Sequence, residues 1–162
     1  MIKQRSILEI FVLVLVVFGH GCVGLSDSGT INEYNKYLEI YNNDSQKYNT
    51  SVNDWIEKEA NYNTAYQDAL DSSKMPYANV RSYATGTTSY EQATGKLGDA
   101  SDQLVIAIDN YKNNANKIYT HLDEFEQFIM LNEETLKRNN VDTVQLKKDI
   151  QDWKEEIRYN LK

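Results

Sequence analysis

His121 stands three residues before Glu124. On a helix that spacing puts both side chains on one face, as in helical bundles that hold metal ions. Such a centre also needs a second pair and further carboxylates projecting inward. The only other histidine is His20, inside an N-terminal apolar stretch. His121 is therefore expected to be a solvated residue. Asp123, Glu124, Glu126, Glu133 and Glu134 are expected to form solvent-facing charged faces, and no metal or cofactor is expected. A hydrolytic triad would have His121 as its sole base, and no G-x-S-x-G elbow occurs. Thr94-Gly95-Lys96-Leu97-Gly98 lacks the spacing of a phosphate-binding loop. A single cysteine excludes an intrachain disulfide framework and multi-cysteine zinc or iron–sulfur sites. The expectation is a protein that is not an enzyme.

That cysteine, Cys22, follows an unusual stretch. Lys3 and Arg5 precede an unbroken apolar run from Ile10 to Phe18, shorter than a membrane span. Gly19, His20 and Gly21 come next, then Cys22. The Gly21-Cys22 pair after an apolar run resembles the lipobox of prokaryotic lipoproteins. That resemblance implies cleavage before Cys22 and lipid on its thiol. Gly19 stands where the lipobox usually has leucine, and Glu9 lies close to the apolar run. Two alternatives stay open: secretion after cleavage at a small-x-small site, and an uncleaved signal anchor from Ile7 to Leu25. All three place the rest of the chain outside the cytoplasm. The domain organisation expected is a signal over 1–21, a tether over 22–30 and a helical domain over 31–162. Asn43-Asp44-Ser45 and Asn49-Thr50-Ser51 are glycosylation sequons at Asn43 and Asn49, although an asparagine-rich chain produces such triplets by chance.

The chain of 162 residues has a formal net charge of −7. An acidic surface argues against nucleic acid and anionic lipid headgroups as main partners. The exception lies over 74–101, where Lys74, Arg81 and Lys96 outnumber Glu91 and Asp99.

Long helices must carry these residues. From Ile31 the apolar positions recur every three and four residues through Tyr34, Leu38, Tyr41, Tyr48, Val52, Trp55, Tyr62, Tyr66 and Ala69. A second seam runs through Leu97, Leu104, Ile108, Tyr111, Ile118, Leu122, Phe125, Ile129 and Leu136. Sustained 3.5-residue repeats predict paired helices, and two seams of similar length predict an antiparallel hairpin. Pro76 breaks the first seam, and Thr88 with Glu91 has capping-box spacing for the second helix. Asn139-Asn140-Val141-Asp142 is a second turn, with Asp142 or Thr143 as N-cap. A third helix follows, marked by Leu146, Ile150, Trp153, Ile157 and Leu161. It is too short to stand alone and must pack on the pair. The two-faced stretch Phe125 to Leu131 is its expected partner. The fold class expected is all-α: a long coiled-coil-like antiparallel hairpin with a shorter C-terminal helix near one end.

The turn after the first helix is the candidate recognition tip. Lys74, Met75, Tyr77, Arg81, Tyr83 and Tyr90 place cations and tyrosines in an acidic molecule, although an ordinary exposed turn has the same look. Trp55 and Trp153 are expected core anchors. The function expected is a membrane-tethered helical spacer or adaptor meeting a protein or envelope partner. The alternatives are a small-ligand sensor module with a core cavity at Tyr62, Tyr66 and Leu104, and a self-associating surface coiled coil, that is, a homo-oligomer.

Overall fold

A computed structural model describes residues 25–74 and 89–161. The signal, Cys22 and the tip residues Met75, Tyr77, Arg81 and Tyr83 lie outside the described residues. The elements are α1 (Leu25–Ser73), α2 (Ser89–Leu131), α3 (Glu133–Arg138) and α4 (Thr143–Asn160), and no strand occurs among the described residues. The expected all-α class and the antiparallel pairing of two long helices with shorter C-terminal ones are what the chain adopts. No helix among the described residues is long and apolar enough to cross a membrane.

Helix boundaries follow local chemistry. α1 starts at Leu25, so most of the stretch expected to be a tether is helical instead. Its apolar seam starts only at Ile31, and polar residues ahead of a seam carry no periodic mark of the helix they join. At the other end, Ser73 Oγ donates to the Leu70 carbonyl at 2.6 Å and the Lys74 N–H to the Asp71 carbonyl at 3.2 Å. These bonds occupy carbonyls that a finished helix leaves without partners. α2 starts at Ser89, one residue from the expected cap.

The second seam was expected to run unbroken to Leu136. It is interrupted at Asn132 (φ −116, ψ 16). The Asn132 side chain donates to the Phe128 carbonyl at 2.9 Å, and its own N–H reaches the same oxygen at 3.1 Å. Such side-chain competition with the helix ladder is the usual liability of mid-helix asparagine. The six-residue α3 then closes with a left-handed Asn140 (φ 61). The Asn140 N–H bonds to Lys137 O and the Val141 N–H to Leu136 O, both at 3.0 Å. This is the Schellman pattern, and Val141 and Leu136, its hydrophobic pair, are both buried. Asp142 caps α4 as expected, accepting from the Gln145 N–H at 3.0 Å.

The chain forms two compact units, Met1–Lys47 with Ala115–Lys162, and Tyr48–Asn114. In the first, the terminal unit, α1, α2, α3 and α4 share a core. Leu122, Phe125, Ile129, Leu136 and Ile150 are its largest fully buried apolar side chains. Tyr37 lies nearly parallel to Phe125 (5.2 Å, 6°), and Trp153 of α4 stacks on Tyr41 (4.5 Å, 17°). Trp153 anchors α4 on α1 through this stack, but it and Trp55 are half-buried rather than the core residues expected. Phe125, Phe128 and Ile129 are buried, so that part of the two-faced stretch takes a further helix, whereas Met130 and Leu131 stay in solvent.

The second, the middle unit, pairs α1 with α2. Tyr48, Val52 and Tyr111 are buried there, and Tyr111 meets both Tyr48 (5.7 Å) and Trp55 (5.1 Å). Ala69 fills a seam position, whereas Ala93 and Ala107 are buried one residue before the expected Thr94 and Ile108, which are only half-buried. A seam of alanines buries less apolar area per turn than one of leucines.

Candidate functional site

The most unusual polar arrangement lies in the terminal unit. Asp44 is on the side of α1 that faces α2, and its side chain is only 5% exposed. His121 Nδ1 contacts Asp44 Oδ2, and Lys117 Nζ lies 3.6 Å from Oδ1. Lys117 and His121 are one turn apart on α2, so both reach one carboxylate. A carboxylate so buried needs cationic or hydrogen-bonding partners to stay in place. His121 is thus not the solvated residue expected from the sequence. It clamps α1 to α2, 77 residues away in the chain. Asp44 was missed because its spacing marks it only as the middle of a sequon. The available signal was its place beside the seam residue Ser45, where a charge needs a partner.

The acids expected to be mere solvated faces also meet α4. Lys154, itself 11% exposed, bonds Asp123 and Glu126, the latter at 3.0 Å. Burial opposes the charge of Lys154, but the two carboxylates outweigh it and hold its pKa up. Gln151 donates to Glu126 at 2.5 Å. Arg158 donates to the Tyr119 hydroxyl at 2.7 Å, and both Lys154 and Arg158 sit over the Tyr119 ring. Glu133 accepts from Lys137 at 2.9 Å and from Lys147 at 3.0 Å. These bonds hold its carboxyl at about 2, well below the usual range. Arg138 reaches Asp27 at 3.3 Å, tying α3 to the first turn of α1. α4 therefore docks through cations at the edges of its apolar stripe.

The expected site residues are placed as follows. Lys74 is exposed and bonds Asp71 at 3.0 Å. Tyr90, on the first turn of α2, is 50% exposed. Asn43 is exposed on α1. Asn49 is half-buried, with Oδ1 enclosed and without a hydrogen-bond partner. Tyr62 stacks loosely on Tyr66 (6.4 Å), Tyr66 opens to solvent, and Leu104 is half-buried. Among the described residues, no group of three or more His, Cys, Asp or Glu side chains comes together to hold a metal ion.

Large apolar side chains also stand in solvent. In the middle unit these include Ile56, Leu70, Val105 and Ile106. Sequence reasoning missed them because they lie off the seam, where isolated apolar residues are ordinary.

No protein-family profile, curated protein or solved structure matches this chain.

Proposed function

We propose that this protein is a non-enzymatic, membrane-tethered extracytoplasmic helical spacer and adaptor that contacts a protein or envelope partner. The tether rests on the apolar run Ile10 to Phe18 followed by Gly21-Cys22, with lipid on Cys22. The adaptor role rests chiefly on one observation: the middle unit keeps Ile56, Leu70, Val105 and Ile106 in solvent. Several large exposed apolar side chains on one unit support an interaction surface there. The tip stretch is a second contact region, and its described ends, Lys74 and Tyr90, are exposed.

Intact mass of the membrane-extracted protein tests the tether. Lipid on a chain starting at Cys22 is expected. A bare chain starting there, or an uncut chain, would replace the lipid anchor by secretion or by a signal anchor. A photo-reactive residue at Tyr90 in intact cells tests the adaptor. Tyr77→Ala with Tyr83→Ala is expected to lower capture without lowering helicity.

Self-association is the second reading, favoured by the same exposed apolar residues. Sedimentation that shifts with concentration would select it.

A further inference from the structure

The way α4 binds in the terminal unit carries an inference about the middle unit. On α2, α4 meets Tyr119, Asp123 and Glu126. Helix positions seven residues apart share a face in a paired helix. Counting back in sevens from Tyr119 and Glu126 reaches Val105. Counting back from Asp123 reaches Asp109 and Asp102. Val105 is 56% exposed and its neighbour Ile106 is 61% exposed. Asp102 and Asp109 are also exposed, and no salt bridge engages them among the described residues.

α1 shows the same continuation. It meets α2 through Tyr37 and Asp44 and α4 through Tyr41. Helical geometry places Asn42 and Ser45 on the other side of Tyr41 from Tyr37 and Asp44. Counting forward in sevens from Asn42 reaches Ile56 and then Leu70, which are 42% and 36% exposed. Counting from Ser45 reaches buried Val52 and then exposed Glu59. In the middle unit this strip of positions exposes Ile56 and Leu70 outboard of Glu59 on α1, and Val105 inboard of Asp102 and Asp109 on α2. Lys112 is the one cation at the same positions.

We propose that this strip receives an amphipathic helix of a partner protein, with Lys or Arg flanking an apolar stripe. That is the chemistry α4 brings to the same heptad positions in the terminal unit, where Lys154 meets Asp123. The exposed apolar side chains supply area to bury, and the carboxylates beside them select cationic flanks over anionic ones. The proposal rests on the adaptor reading and names the class of partner.

The test uses the detergent-solubilised full chain and a fluorescein-labelled peptide of residues 143–161, read by anisotropy against a detergent blank. Saturable binding is expected. Ile56→Glu with Val105→Glu is expected to weaken it at least tenfold, with circular dichroism unchanged. Asp102→Asn with Asp109→Asn is expected to weaken it severalfold and to flatten its salt dependence. No saturable binding, or equal binding by both double variants, overturns the proposal, since the peptide would then sit elsewhere or nowhere. A dimer in sedimentation that Ile56→Glu with Val105→Glu abolishes overturns it too, because a second copy would fill the strip. The adaptor reading fails separately, through absence of any envelope protein crosslinked in intact cells while peptide binding persists.

Discussion

His121 of α2 closes on the buried carboxylate of Asp44 of α1, with Lys117 at the other oxygen. Removing the imidazole leaves a buried charge held only by a lysine that is half in solvent. We predict that His121→Ala costs about 1–3 kcal/mol, the penalty of an unsatisfied buried group. Urea melts give the value. The double variant with Asp44→Asn should cost less than the sum of the single ones, and strict additivity would show that the two side chains do not couple.

α4 is held by a few fully buried side chains, with Ile150 at 0% exposure. Ile150→Ala is expected to cost about 2–5 kcal/mol, with transfer and cavity terms adding. Hydrogen exchange should rise first in α4, because its contacts to α1 and α2 are what stabilise so short a helix. Uniform loss of protection across the chain would contradict this.

Gly98 lies inside α2, and a Cβ built there meets nothing within 4 Å. The glycine weakens the helix without any steric need for it. Gly98→Ala is therefore predicted to stabilise the chain by about 1 kcal/mol. A melting temperature that stays or falls would show that the bare backbone at Gly98 serves a contact.

Stability should fall at both ends of the pH scale. Burial, with the charges of Glu156 and Asp149 adding, pushes the Tyr41 hydroxyl up to about 12. Burial beside Tyr48 pushes Tyr111 up as well. An unfolded tyrosine ionises near 10, so the unfolded state loses protons first. Stability is full below pH 10 and is lost as pH rises through 12. Absorbance at the phenolate band should therefore lag the ordinary tyrosine curve and then rise together with unfolding. Glu133 behaves oppositely. Its carboxyl is held at about 2 by Lys137 and Lys147, so its contribution is present above the usual carboxylate range and fades from there down to about 2. Glu133→Gln should flatten that acid limb. An unchanged limb would show that its ion pairs add nothing.

The periodic and local features were legible along the chain. Tyr34, Tyr41, Tyr48 and Val52 on one seam, and Tyr111, Ile118, Leu122, Phe125 and Ile129 on the other, are buried where the repeat puts them. Asp142 is the N-cap, and the Asn139–Asp142 turn falls where it was expected. Such signals need only a helix and its nearest neighbours in sequence. The break at Asn132 was less legible. Asparagine tolerates helix interiors and interruptions alike, and the choice depends on where α3 must turn to meet α4.

What the chain determines by itself is the set of helices, their apolar faces and their caps, because each follows from spacing within a few turns. Only the tertiary structure decided the partners across helices. Asp44 finds His121, Asp123 finds Lys154, and Tyr41 finds Trp153 through the register between helices, which no local spacing encodes. The same register decides which off-seam positions α4 covers and which, such as Val105 and Ile56, stay in solvent. Burial of a polar group or exposure of an apolar one depends on what else arrives at that face, and that is a property of packing.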